Sequence, residues 1–191
     1  MVALNSLSDF GSRETEGAVS THHQSLLAGE ILLETSPHTA WGGAVQAQMY
    51  LPISRSRAWQ QLTDYPRWVH YFPDVSTSKE LPPSSSSSKT PPRHKRLYQA
   101  ASKAFLIFSA QVEAYLRVYE ILQQQIQFRF EKGSFLDFSA DLQLQDLQDG
   151  TLLTYAVRAT PTFPVPSIFL QQVMQMGLPD NMRHLRRALC S

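Results

Sequence analysis

The sequence predicts an α+β fold: an antiparallel sheet of long strands, two short helices after an early strand, and a long helix at the C-terminus. Three observations lead there. Apolar and polar residues alternate across four consecutive segments between Ala110 and Thr160, the period of half-buried strands. The links between those segments are short, whereas parallel neighbours need a crossover of about a dozen residues or more. From Ser167 onward the apolar residues take helical spacing instead.

Taken in order, residues 1–24 have no basic start and no long apolar centre, and read as a disordered tail rather than a leader. Residues 25–191 read as one domain. ILLETSPHTAWGG predicts a short strand ending at Gly42 and Gly43, and Val45, Ala47, Met49 and Leu51 alternate with Gln46, Gln48 and Tyr50 to give another before Pro52. Ser54 is a suitable N-cap for a helix that shares Ala58, Trp59 and Leu62 on one face. Asp64 can cap a second helix, with Pro66 in its first turn, Tyr65, Trp68, Val69 and Phe72 on one face, and Pro73 as its stop. The tract PPSSSSSKTPP at 82–92 is low in complexity, with nothing to bury, and reads as a flexible surface loop between Val75–Leu81 and His94–Ala101.

The meander follows. Ala110, Val112, Ala114, Leu116 and Val118 share a face, as do Ile126, Phe128 and Phe130 after a turn near Glu120. Lys132 and Gly133 supply the next turn, and Leu136, Phe138, Ala140, Leu142 and Leu144 form the third apolar set. Asp149-Gly150 is a strong hairpin signal. Leu153, Tyr155, Val157 and Ala159 then face inward, with Thr154, Arg158 and Thr160 outward. In the last helix Phe169, Val173, Gly177, Met182, Leu185 and Leu189 share a face, and Pro179 is expected to bend or divide it.

Composition narrows the function. The chain has 191 residues, 42% of them hydrophobic, and a net charge of +1, so no overall basic footprint points to nucleic acid. No stretch approaches the ~18 to 20 apolar residues needed to span a bilayer. The lone Cys190 cannot form an internal disulfide, and a reducing, cytoplasmic setting is expected. The six histidines show no metal-ligand spacing, and no cofactor motif, GxSxG or phosphate loop is present.

The stretch VQAQMYLPISRSRAWQQLTDYPRWVHYFPDV resembles the opening of the START-like (SRPBCC) superfamily, in its polyketide cyclase/dehydrase and coenzyme Q-binding branch. Trp59, Leu62, Thr63, Asp64, Tyr65, Tyr71, Phe72, Pro73 and Val75 fill the slots of that motif, and the resemblance covers about residues 41 to 189. It implies a helix-grip fold, in which a curved antiparallel sheet wraps the long C-terminal helix around an apolar cavity. Relatives of this kind bind lipids, quinones, polyketides or hormones, act as cyclases, or engage protein partners.

The inward faces of the strands carry no charge, and Tyr155 is nearly their only polar group. Such a pocket favours an apolar guest with one oxygen to orient; an ordinary filled core is the alternative. Small Ala110, Ala114 and Ala140 favour the cavity. Its expected lining is Val112, Ala114, Leu116, Phe128, Phe138, Leu142, Tyr155, Val157, Phe169 and Val173. The rings Trp59, Tyr65, Trp68, Tyr71 and Phe72 are expected to pack beneath the first strand and around the mouth.

Three functions fit. The first is carriage of a hydrophobic small molecule such as a lipid, isoprenoid, quinone or polyketide. The second is a cyclase or dehydratase that would use Tyr155 as acid or hydrogen-bond donor, and lacks an inward base. The third is a protein-interaction module.

Overall fold

The computed structural model describes residues 21–83, 94–105, 108–162 and 167–191, with 103–105, 108–110 and 167–176 described by backbone alone. Residues 1–20 of the expected tail and 84–93 of the serine-rich tract lie outside the described residues. A helix, α1, occupies 21–27 and so begins within the stretch read as tail. Its anchor is Leu26, which is fully buried.

Eight strands form one sheet: β1 (Ile31–Pro37), β2 (Gly43–Leu51), β3 (Val75–Leu81), β4 (Lys95–Phe105), β5 (Phe108–Ile121), β6 (Gln125–Gly133), β7 (Phe135–Leu147) and β8 (Gly150–Pro161). Their spatial order is β1-β2-β8-β7-β6-β5-β4-β3, and every pairing is antiparallel. The chain therefore runs from one wing of the sheet to the other between β2 and β3. It makes that crossing through α2 (Arg55–Leu62), a 3-10 turn (Tyr65–Arg67) and α3 (Trp68–Tyr71). The helix α4 (Ser167–Cys190) packs mainly on β1, β2 and α3.

The caps divide as their chemistry allows. Ser54 accepts from the Arg57 amide and caps α2, while Asp64 makes no side-chain cap. Pro66, with φ fixed and no donor, sits in the first turn of the 3-10 segment. Trp68 donates its indole N–H to the Leu62 carbonyl at 2.9 Å, and Ser78 donates to the Tyr65 carbonyl at 2.7 Å. The buried rings thus reach partners for their polar groups and for the backbone beneath them. Tyr65 donates to Glu120 at 2.6 Å, and burial together with that bond holds its hydroxyl far above the ordinary phenol pKa.

Several details depart from simple alternation. Leu136, expected inward, is 57% exposed. The β7–β8 register shifts between Phe135 and Asp137, so Leu136 is the extra residue of a bulge and Phe135 turns toward the core instead. The β7–β8 turn is Gln148-Asp149, with Gln148 at φ 50°, one residue earlier than the Asp-Gly pair. Gly150 serves close packing: an added Cβ would run into the Leu51 carbonyl and the Tyr50 ring. Thr160, expected outward, is buried because the β1–β2 connection folds over it and Thr39 bonds to it at 3.0 Å. β1 ends at Pro37, short of Gly42. Pro179 lies inside α4 without dividing it.

The core is closed where α2, the 3-10 turn and α3 cover the sheet. Phe128 is 2% exposed there, with its ring 5.0 Å from Trp68 and 5.9 Å from Tyr65. We expect Phe128→Ala to cost about 3 to 5 kcal/mol in chemical denaturation, the usual range for a buried ring. A loss below ~1 kcal/mol would show that the helices do not depend on this contact.

Candidate functional site

Beyond Trp68 the rings continue: Phe72 lies 5.3 Å from Trp68, and Tyr155 lies 6.1 Å from Phe72. On their far side the space between the sheet and α4 is not filled. A half-enclosed cavity of about 220 Å³ lies there, with Trp68 and Phe72 on one side, Ala100, Ala101, Val112, Ala114 and Leu116 of β4 and β5 on another, and Phe135, Phe138, Tyr155 and Asn181 completing it. The void follows from side-chain size. Two alanines on adjacent strands share the inward face, Ala101 paired with Val112 and Ala114 with Gln99, and the Gln99 amide is drawn aside to Ser78 at 3.3 Å, so that wing offers little volume toward the helix. The alternative of a fully filled core does not describe this part of the molecule.

Five of the expected residues line the cavity: Val112, Ala114, Leu116, Phe138 and Tyr155. Phe128 and Leu142 instead lie in the closed core. They share the inward face, but the helices α2 and α3 cover that end of the sheet. Val157 packs against the core and is not among the lining residues. The side chains of Phe169 and Val173, and of Ala110, lie outside the described residues.

Tyr155 projects from β8, held between Ala47 of β2 and Leu142 of β7 in the pairing register. Burial pushes its pKa up to about 12, so the hydroxyl remains a proton donor throughout the neutral range. Its partial accessibility to solvent comes from the cavity side. Among the described residues it has no hydrogen-bond partner. Two neutral amides line the cavity with it: Gln99, which donates to Ser78 at 3.3 Å, and Asn181, which escaped the sequence reading because it lies beside the apolar stripe of α4. Asn181 too has no partner among the described residues.

The helix that carries Asn181 is fixed from its C-terminal end. Met182, Leu185 and Leu189 are fully buried. Gln61 donates to the Leu189 carbonyl at 2.9 Å, Arg186 donates to the Gly29 carbonyl at 2.7 Å, and His184 meets the His70 carbonyl at 3.1 Å.

Asp74, Gln99 and Glu113 are also among the lining residues. Alternation had placed Glu113 on the outer face, and its carboxylate does accept from Tyr98 there at 3.0 Å. No Lys, Arg or His lines the cavity among the described residues. No group of three or more His, Cys, Asp or Glu side chains that could hold a metal ion occurs among them either. No helix is long and apolar enough to cross a membrane, again among the described residues.

A curved antiparallel sheet closed by a C-terminal helix over an apolar cavity defines a START-like domain. The chain belongs to the polyketide cyclase / dehydrase and lipid transport family, whose model matches residues 51–186. Solved structures agree on the fold. A STAR-related lipid transfer protein from Xanthomonas axonopodis superposes with a TM-score of 0.59 at 14% identity, covering 83% of this chain and 99% of that one. A START superfamily protein from Mycobacterium smegmatis gives 0.58 at 16% identity, with 84% and 97% covered. An aromatase/cyclase from a Streptomyces species gives 0.54 at 9% identity, with 84% and 92% covered. No curated protein matches the chain by sequence.

Ala114→Phe separates a usable void from packed core. In filled core the added ring would force strain of about 1 to 3 kcal/mol. We expect the variant instead to melt no lower than the ligand-free parent while losing uptake of an apolar fluorescent probe. A clear fall in Tm with probe uptake retained would mean that Ala114 does not face the void.

Proposed function

We propose that the protein binds and carries a hydrophobic small molecule in the cavity between the sheet and α4. The observation that carries this reading is the half-enclosed space of about 220 Å³, bounded by rings and small aliphatic side chains. Such walls cannot replace the hydrogen bonds of water, so apolar surface is favoured there, at about 0.8 kcal/mol for each buried CH2. Membership in a family that includes lipid transport supports the same reading. The half-open mouth suits a carrier, because the guest can leave without unfolding of the sheet.

A cyclase- or dehydratase-type reaction draws support from one finding. Asp74 is among the lining residues and would supply a candidate base that the inward faces lack, while protonated Tyr155 could act as acid. The two readings differ in what happens to the guest. A carrier returns its ligand unchanged in mass after prolonged incubation, whereas a dehydratase returns it lighter by one water.

Freshly purified protein examined by native mass spectrometry should retain an apolar adduct. Protein stripped of that adduct should take up one equivalent of an apolar fluorescent probe. At a hundred times Kd such a ligand stabilises the fold by about 2.7 kcal/mol, visible as a rise in Tm. Absence of any adduct, any probe uptake and any Tm shift would overturn carriage.

A further inference from the structure

We propose that the guest is a compact, uncharged ring compound of about two fused rings, with a hydroxyl or carbonyl oxygen held jointly by Tyr155 and Asn181. The proposal rests on the cavity being a binding site, as argued above, and adds what kind of molecule it accepts.

Size sets the first limit. An apolar cavity of ~150 Å³ takes a benzene ring, and pockets for drug-sized ligands begin near ~300 Å³. A space of about 220 Å³ falls between them, enough for two fused rings and too little for the paired acyl chains of a phospholipid. The chemistry of the wall agrees, because Trp68, Phe72, Phe135 and Phe138 all line the space and aromatic rings pack well against a planar body.

Polarity sets the second limit. The Tyr155 hydroxyl and the Asn181 amide line the cavity from opposite layers, one on the sheet and one on the helix. Neither is spent on a protein partner among the described residues. Both groups are open to the water of the half-enclosed cavity, and a guest that displaces that water without a matching oxygen leaves them unpaired, which is unfavourable. A phenol or alcohol can donate to the Asn181 oxygen and accept from Tyr155; a ketone or quinone can accept from both.

Charge sets the third. Among the described residues no cation lines the cavity, so a carboxylate or phosphate would lose its hydration with nothing to replace it. The same walls that admit a neutral oxygen therefore reject a fatty acid or an anionic headgroup.

The test compares 2-naphthol, naphthalene and 2-naphthoate, which share one ring system, by equilibrium dialysis against the full chain at pH 7. In the wild type, 2-naphthol should bind about tenfold more tightly than naphthalene, as two neutral hydrogen bonds allow. The anion 2-naphthoate should bind at least tenfold more weakly than 2-naphthol. Tyr155→Phe and Asn181→Leu should each reduce the preference for 2-naphthol over naphthalene severalfold while leaving naphthalene binding within about twofold. The wild-type comparison needs no variant to fold. Equal binding of 2-naphthol and naphthalene, or tighter binding of 2-naphthoate, would overturn this inference and leave carriage standing. Uptake of a larger apolar probe with none of the three bound would overturn the size limit. Failure of every apolar compound to bind would instead remove the carrier reading on which the inference rests.

Discussion

The tilted ring contact of Trp68 with Phe128 is the contact on which the rest of this molecule depends. The rings lie 5.0 Å apart and join the crossing segment between β2 and β3 to the middle of the sheet. That segment contains only short helices, too short to be stable alone in water. Their order comes from rings inserted into the sheet's covered face and from the bonds of Trp68 to Leu62 and of Ser78 to Tyr65. Once the crossing is fixed, one end of the inner face is closed. α4 then rests on β1, β2 and α3, away from the wing formed by β4 and β5, and space remains opposite the alanines of that wing.

This division explains which parts of the sequence spoke plainly. Period-two patterning identified β5 through β8 and the strand from Val45 to Leu51, because each of these strands has one face toward the core. It failed at Leu136, where a bulge depends on the partner strand and leaves no trace in a single segment's alternation. Thr160 failed for a different reason. Its face is outer with respect to the sheet, but the β1–β2 connection covers it. Pro179 was expected to bend or divide α4; it does not divide it, since the helix runs through it from Ser167 to Cys190.

The cavity was legible only as a direction. Inward alternation collects every residue on one face, and it cannot tell the end covered by helices from the end that stays open. Phe128 and Val112 therefore looked equivalent in sequence, and the structure puts one in the closed core and the other on the void. Tyr155 could be found because it is the polar exception in an apolar row. Asn181 could not, since its position depends on how α4 rotates over the sheet, which is set by distant bonds such as that from Gln61 to Leu189.

The fold and the pocket are thus specified by different residues. Large rings at Tyr65, Trp68 and Phe128 secure the architecture, and small residues at Ala101 and Ala114 preserve the space. Filling core and leaving a void pull in opposite directions energetically, because a cavity forfeits the dispersion contacts its lining atoms would otherwise make. A domain can keep such a space only if the rest of its core supplies stability enough, and here that surplus lies in the closed end. It follows that substitutions at the alanines can reshape what the cavity holds with little effect on folding, while the rings that secure this domain's architecture stay in place. Chemistry and fold are then free to diverge separately, as expected where functions are grafted onto a shared scaffold.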